Sequence, residues 1–164
     1  MTYADVTALV RDDMRALDDV RVVAHVASLL LGPPRPLRLE WPYGEVGETF
    51  DAFLVLDHPQ SGTGIAYCQQ GFGPANPWGL IWTGRASSLT TGMDDGWYPR
   101  FLDAYFESKA PADLDIWRVR EWRSGRDGAW VSGELPWDEA WVQVSTLRAS
   151  APHTQYYCDH AVTY

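Results

Sequence analysis

The side chains best suited to chemistry in this sequence are its histidines and cysteines. His58 directly follows Asp57, and His160 comes two residues after Cys158. Together His58, Cys158 and His160 would offer the nitrogen and sulfur ligands that zinc prefers, but zinc sites are usually marked by closely paired ligands. The spacing here does not form such pairs, so we predict neither a metal site nor a cofactor.

A cysteine nucleophile is a second option, and its sequence context argues against it. Cys68 lies in a strand-like run. A thiol becomes reactive where its pKa is lowered, as at the start of a helix or in an electropositive site. We therefore predict that Cys68 and Cys158 are reduced and half-buried, and a disulfide between them stays an open alternative.

Two pairs of neighbouring acids could in principle perform acid–base catalysis. They are Asp94 with Asp95 and Asp138 with Glu139. Each pair precedes or begins a stretch with helical character, where carboxylates bind free backbone N–H groups and favour the helix dipole. We interpret both pairs as helix-start residues, so the sequence predicts no catalytic residue and no enzyme.

A group of large aromatic residues flanks a glycine-bearing loop and the Asp94–Asp95 pair. Its members are Trp78, Trp82, Trp97 and Tyr98. Aromatic anchors bordered by charge are typical of protein-binding hot spots. The alternation of Trp78, Leu80 and Trp82 is equally typical of a strand with one face in the core, so that alternative stays open.

The elements that must position these residues begin with two helices. Thr2 and Asp5 have the spacing of a capping box, and apolar residues then recur at helical intervals. Asp18 or Asp19 can cap a second helix, which Gly32 and Pro33 should end. His25 lies inside this second helix, where a partly buried structural histidine is the expected role.

Period-two alternation and turn residues then predict strands. The predicted strands cover residues 36–41, 50–56, 64–69, 78–83, 115–122, 129–135 and 156–164. Residues 99–108 form an inserted helix with Pro99 in its first turn. Residues 137–147 show both helical and alternating features. We predict one α+β domain over residues 1–164, with two N-terminal helices, a mostly antiparallel sheet of about five to seven strands and the inserted helix.

Composition limits the classes of function. The net charge is −9 and the pI is about 4.7, which argues against a nucleic-acid binder because phosphate contacts need clustered Lys and Arg. No apolar run is long enough to span a bilayer, and acids stand where a signal peptide needs basic residues. We expect a cytoplasmic protein that does not bind membranes and whose natural partner is a basic protein.

The segments AYCQQGFGPANPWGLIW and GMDDGWYPRFLDAYFES resemble those of small acidic bacterial immunity proteins, which accompany polymorphic or contact-dependent toxins. The resemblance covers roughly the central third of the chain and rests on the frequent occurrence of Gly, Pro, Trp and Asp. Immunity proteins are diverse in fold, so no residue role is carried over by position. The resemblance implies an inhibitor that binds a cognate toxin and covers its active site.

The leading hypothesis is therefore a binding protein that neutralises a basic toxin, as a monomer or homodimer. Its predicted partner-binding residues are Asp94, Asp95, Trp97, Tyr98, Glu107 and Trp78. The alternative is a small-molecule binder or enzyme with an aromatic pocket. That pocket would be built from Tyr67, Trp82, Trp97 and Trp117, with Asp57 or His58 nearby.

Overall fold

A computed structural model describes residues 2–41, 44–83, 96–123 and 126–164, and it has an α+β fold. Helices and antiparallel strands are present in segregated runs, which confirms the predicted fold class. The chain divides into two compact units, Met1–Ala110 with Tyr164 and Pro111–Thr163. That one domain covers the whole chain stays a prediction.

The two N-terminal helices form as predicted. Helix α1 spans Tyr3–Met14, and its capping box is present: the Asp5 N–H donates to the Thr2 hydroxyl, and the Thr2 N–H donates to the Asp5 carboxylate. The hydrogen bonds that the Thr2 N–H and hydroxyl donate to the Asp5 carboxylate lower the pKa of Asp5. Helix α2 spans Val20–Leu29, and Asp19 is its cap, with a pKa lowered by its hydrogen bond to Arg21.

Strand β1, Leu30–Glu40, begins six residues before the predicted start at Pro36. Gly32 and Pro33, joined by a cis peptide bond, lie inside this strand instead of ending the helix. Proline is tolerated here because β1 is an edge strand and its pairing is irregular between Leu30 and Arg35. The helix ends at Leu29 and the chain passes directly into the sheet.

The first unit contains an antiparallel sheet in the order β1-β2-β3-β4-β5. Its further strands are β2 Thr49–His58, β3 Thr63–Tyr67, β4 Trp78–Trp82 and β5 Trp97–Tyr98. The predicted hairpin of β3 and β4 is confirmed, with Thr63 opposite Trp82 and Tyr67 opposite Trp78. The short strand β5 was not predicted.

Helix α3 spans Phe101–Glu107 and packs its apolar residues into the first unit. Its cap comes from another element, because the Asp13 carboxylate accepts from the backbone N–H groups of Phe101 at 2.7 Å and Leu102 at 3.3 Å. His25 Nδ1 lies 2.8 Å from the Tyr105 hydroxyl, which ties α2 to α3. The inserted helix is confirmed, although it begins two residues after Pro99.

The second unit contains a three-stranded antiparallel sheet in the order β7-β6-β8. Its strands are β6 Trp117–Arg123, β7 Arg126–Trp130 and β8 Gln155–His160. The ambiguous segment is a helix, α4, over Trp137–Ser150. The strands of the described residues therefore lie in two sheets of five and three, and not in one sheet as predicted. Among the described residues, no helix combines the length and apolar character that crossing a bilayer requires.

Candidate functional site

The structure places the predicted partner-binding residues in very different surroundings. Trp78 and Trp97 are buried, with only 4% and 8% of their surface exposed, whereas Glu107 is exposed and Tyr98 is half-buried. Asp94 and Asp95 lie outside the described residues. Trp78 and Trp97 therefore offer little area to a partner, and the predicted interface stays a prediction for the other residues.

Both buried tryptophans pack against other residues of the first unit. The Trp78 ring packs edge-on against Phe101 of α3, with 5.4 Å between ring centroids, and against Tyr67 at 5.0 Å. The Trp97 ring lies over Gly79 of the neighbouring strand. A side chain at residue 79 would collide with that ring, so glycine is needed for this close approach.

Trp82 is the tryptophan that reaches the surface of this hairpin. It shares strand β4 and its strand face with Trp78, but 55% of its surface is exposed. It borders a groove of about 220 Å³ between the end of β4 and the C-terminal end of α3. The residues lining the groove are Thr63, Leu80, Ile81, Trp82, Glu107, Ser108 and Lys109. We call this the Trp82 groove. It contains one of the predicted partner-binding residues, Glu107.

Charged side chains of both signs border the groove. The Lys109 ammonium lies 5.5 Å from the centroid of the Trp82 ring, within the range of a cation–π interaction. The exposed Glu107 carboxylate lies two residues before Lys109, at the last position of α3. The groove thus presents an aromatic face, a carboxylate and apolar walls to solvent.

Acidic residues of α3 contribute to a raised pKa of Tyr164. The Tyr164 ring stacks on Phe106 at 4.7 Å, and the Arg100 guanidinium lies 5.1 Å from its centroid. Burial, together with the charges of Asp103 and Glu107, raises the pKa of Tyr164 to about 12. The Arg100 charge acts in the opposite direction and only partly offsets them.

A chain of polar side chains runs from the turn after β2 to the wall of the groove. His58, which is buried, has its Nδ1 atom 2.7 Å from the Ser61 hydroxyl, and that hydroxyl lies 2.6 Å from the hydroxyl of Thr63. Thr63 lines the Trp82 groove. This arrangement could move a proton along hydroxyl groups, and sequence reasoning, which considered His58 only as a metal ligand or pocket residue, missed it.

In the part of the chain that the structure describes, two residues of the predicted aromatic pocket, Tyr67 and Trp82, border different cavities. Tyr67 borders a different cavity, of about 400 Å³, with Asp51, Gln69 and Gln70, whereas Trp82 borders its own groove. Trp97 is buried over Gly79, and Trp117 belongs to the second unit. Asp57 accepts a 2.8 Å hydrogen bond from the Thr83 hydroxyl.

The second unit has an acidic and aromatic surface of its own on α4. Trp141 and Val142 are 37% and 67% exposed, and Asp138 and Glu139 are exposed in the first turn of the same helix. The Trp141 ring contacts Trp137 at 5.5 Å between centroids, and Trp137 in turn contacts the buried Trp117 at 4.4 Å. We call the exposed residues Asp138, Glu139, Trp141 and Val142 the α4 surface. The spacing of Trp137 and Trp141 at i and i+4, beside two acids, was the signal that could have found it.

Neither cysteine is an activated nucleophile. Both are free, with Cys68 buried and Cys158 half-buried. Burial raises the pKa of each thiol, that of Cys158 to about 11. Both thiols are therefore protonated near neutral pH. Across the residues that the structure describes, no cluster of three or more His, Cys, Asp or Glu side chains could hold a metal ion.

Comparison of the chain with protein-family models, curated proteins and solved structures finds no match. A functional assignment therefore depends on the residues and surfaces described above.

Proposed function

We propose that this chain is a non-enzymatic binding protein of the immunity type, which neutralises a basic bacterial toxin in the cytoplasm by covering the toxin's active site. The observation that carries the proposal is the exposed Trp82 ring, which shares a groove with the Glu107 carboxylate on a chain of net charge −9. The α4 surface repeats the same combination of exposed ring and acids on the second unit.

Exposed tryptophan next to a carboxylate suits recognition of a basic protein. Tryptophan is enriched at the centre of protein interfaces because it removes a large apolar area from water on binding. Acidic residues around it attract a positively charged partner and raise the rate of encounter. Trp82 and Glu107 together supply both contributions.

The proposal is tested by co-expressing the chain with toxins encoded beside its gene and measuring growth and affinity. We expect rescue of growth, and Trp82→Ala should weaken affinity for the toxin roughly tenfold or more, as expected for an interface hot spot. Phe72→Ala is the matched control, because Phe72 is another exposed ring of the first unit, in the loop at the opposite end of the β3–β4 hairpin. The proposal fails if no linked toxin is bound or neutralised.

A second candidate function, small-molecule binding or catalysis, is favoured by the polar chain of His58, Ser61 and Thr63 at the wall of the Trp82 groove. A thermal-shift screen of small metabolites compares the wild type with Thr63→Val, which keeps the side-chain shape but removes the hydroxyl. A compound that stabilises only the wild type would support this function. If no compound stabilises the wild type, the second candidate is dismissed.

A further inference from the structure

The chain itself places a cation in the Trp82 groove. Lys109 is the only lysine in the sequence, and its ammonium lies 5.5 Å from the centroid of the Trp82 ring. We infer that the groove is a receptor for one cationic side chain of the partner, and that Lys109 occupies the ring face until the partner displaces it. The inference rests on the proposed function, because it names the part of a basic partner that the groove would bind.

The groove has the features by which proteins recognise an ammonium group. The face of an indole ring carries negative electrostatic potential and attracts a cation within about 6 Å of its centroid. Glu107, which lines the same groove, adds a full negative charge. Leu80 and Ile81 provide apolar walls against which the methylene groups of a lysine side chain can pack.

Lys109 can leave the ring at small cost. It is exposed and lies two residues beyond the end of α3, on a long side chain with free rotation. A cation–π contact at an exposed site favours the bound arrangement only by about two- to fivefold. A partner that makes further contacts around the groove would therefore outcompete Lys109.

The opposite assignment is that Lys109 itself binds an anionic group of a partner. The two assignments predict opposite results for Lys109→Ala. A cation receptor gains affinity when its internal competitor and a repelling positive charge are removed. An anion site loses affinity when its only ammonium is removed.

The single lysine permits a direct test without any toxin. Reductive methylation with ¹³C-formaldehyde labels Lys109 and the N-terminal amine, and the Lys109 methyl resonance should carry a ring-current shift that Trp82→Ala removes. Titration with the probe Nα-acetyl-lysine-N′-methylamide should move this resonance towards its position in Trp82→Ala. The uncharged norleucine analogue, which has a similar apolar side chain, should leave it unchanged.

Variants that are ¹⁵N-labelled but not methylated then report affinity through the indole N–H resonance of Trp82. Lys109→Ala should bind the lysine probe about two- to fivefold more tightly than the wild type. Glu107→Gln should bind it more weakly, whereas Glu45→Gln, the matched loss of an exposed acid in the turn between β1 and β2 of the same unit, should not differ.

The inference is overturned if Lys109→Ala binds the lysine probe no better than the wild type, or if the norleucine analogue binds equally well. This failure is distinct from failure of the proposed function, which is decided by toxin binding and growth. A chain that neutralises a toxin but does not bind the lysine probe would retain the function and lose the cation receptor.

Discussion

Gly79 shows at the residue scale how the sheet of the first unit accepts a tryptophan. A Cβ atom added at residue 79 would lie 2.7 Å from two carbons of the Trp97 ring, closer than packed atoms approach. Gly79→Ala should therefore lower the free energy of unfolding by roughly 1–3 kcal/mol through overpacking. Urea denaturation followed by circular dichroism measures this change.

The control for that prediction is Gly133→Ala, because nothing lies within 4 Å of a Cβ at residue 133. Combining Gly79→Ala with Trp97→Leu tests the cause, since the smaller side chain relieves the collision and the two effects should not add. Equal stability of Gly79→Ala and Gly133→Ala would show that the Trp97 ring has room to move.

The tryptophans of β4 also show what residue patterns can predict. Alternation correctly places Trp78, Leu80 and Trp82 on one strand face. The sequence left open whether that face lies in the core or at the surface, and the structure shows that one end is buried and the other exposed. Trp78 lies under Phe101 of α3 and is buried, whereas Trp82 lies at the end of the strand and is exposed. Sequence cannot distinguish them, because the difference depends on where a separate helix packs.

At the scale of elements, α3 depends on a cap supplied by α1. Asp13→Ala should lower the free energy of unfolding by about 0.5–2 kcal/mol, because the Phe101 and Leu102 N–H groups lose their acceptor. Asp12→Ala is the matched control, since the Asp12 carboxylate pairs with Arg15 on the exposed surface of the same helix. Its loss should cost less than about 0.5 kcal/mol. Equal losses for the two variants would exclude the Asp13 cap as a stabilising contact.

Local sequence signals predicted elements well where the signal and its partner are close in the chain. The capping box of α1, the Asp19 cap of α2 and the β3–β4 hairpin are all of this kind. Two of the errors involve distant partners, whereas the strand predicted over residues 129–135 is displaced within a local hairpin, since β7 spans Arg126–Trp130. Strand β1 extends back to Leu30 because Leu56 pairs with it, and α3 begins at Phe101 where Asp13 caps it.

At the scale of the whole molecule, composition predicts the character of the surface but not its layout. The net charge of −9 indicates a basic partner, and nothing in composition shows which acids lie beside exposed rings. Of the predicted site, Glu107 lies at a groove with the exposed Trp82, whereas Trp78 and Trp97 are buried. The α4 surface was not predicted, because the apolar residues of segment 137–147 fit neither a helical nor an alternating pattern clearly.

Two matched charge reversals separate the effect of overall charge from that of a localised interface. Two double variants raise the net charge equally, by four, from −9 to −5. One combines Asp94→Lys with Asp95→Lys, and the other combines Asp138→Lys with Glu139→Lys. The wild type should associate with a basic toxin at least tenfold more slowly in high salt than in low salt, because salt screens steering. At low salt, the association rate should fall more for the double variant whose substituted acids face the toxin than for the other double variant. Stopped-flow fluorescence measures both association rates. Equal slowing would mean that steering comes from total charge, and a salt-insensitive rate in the wild type would contradict electrostatic recognition of the toxin altogether.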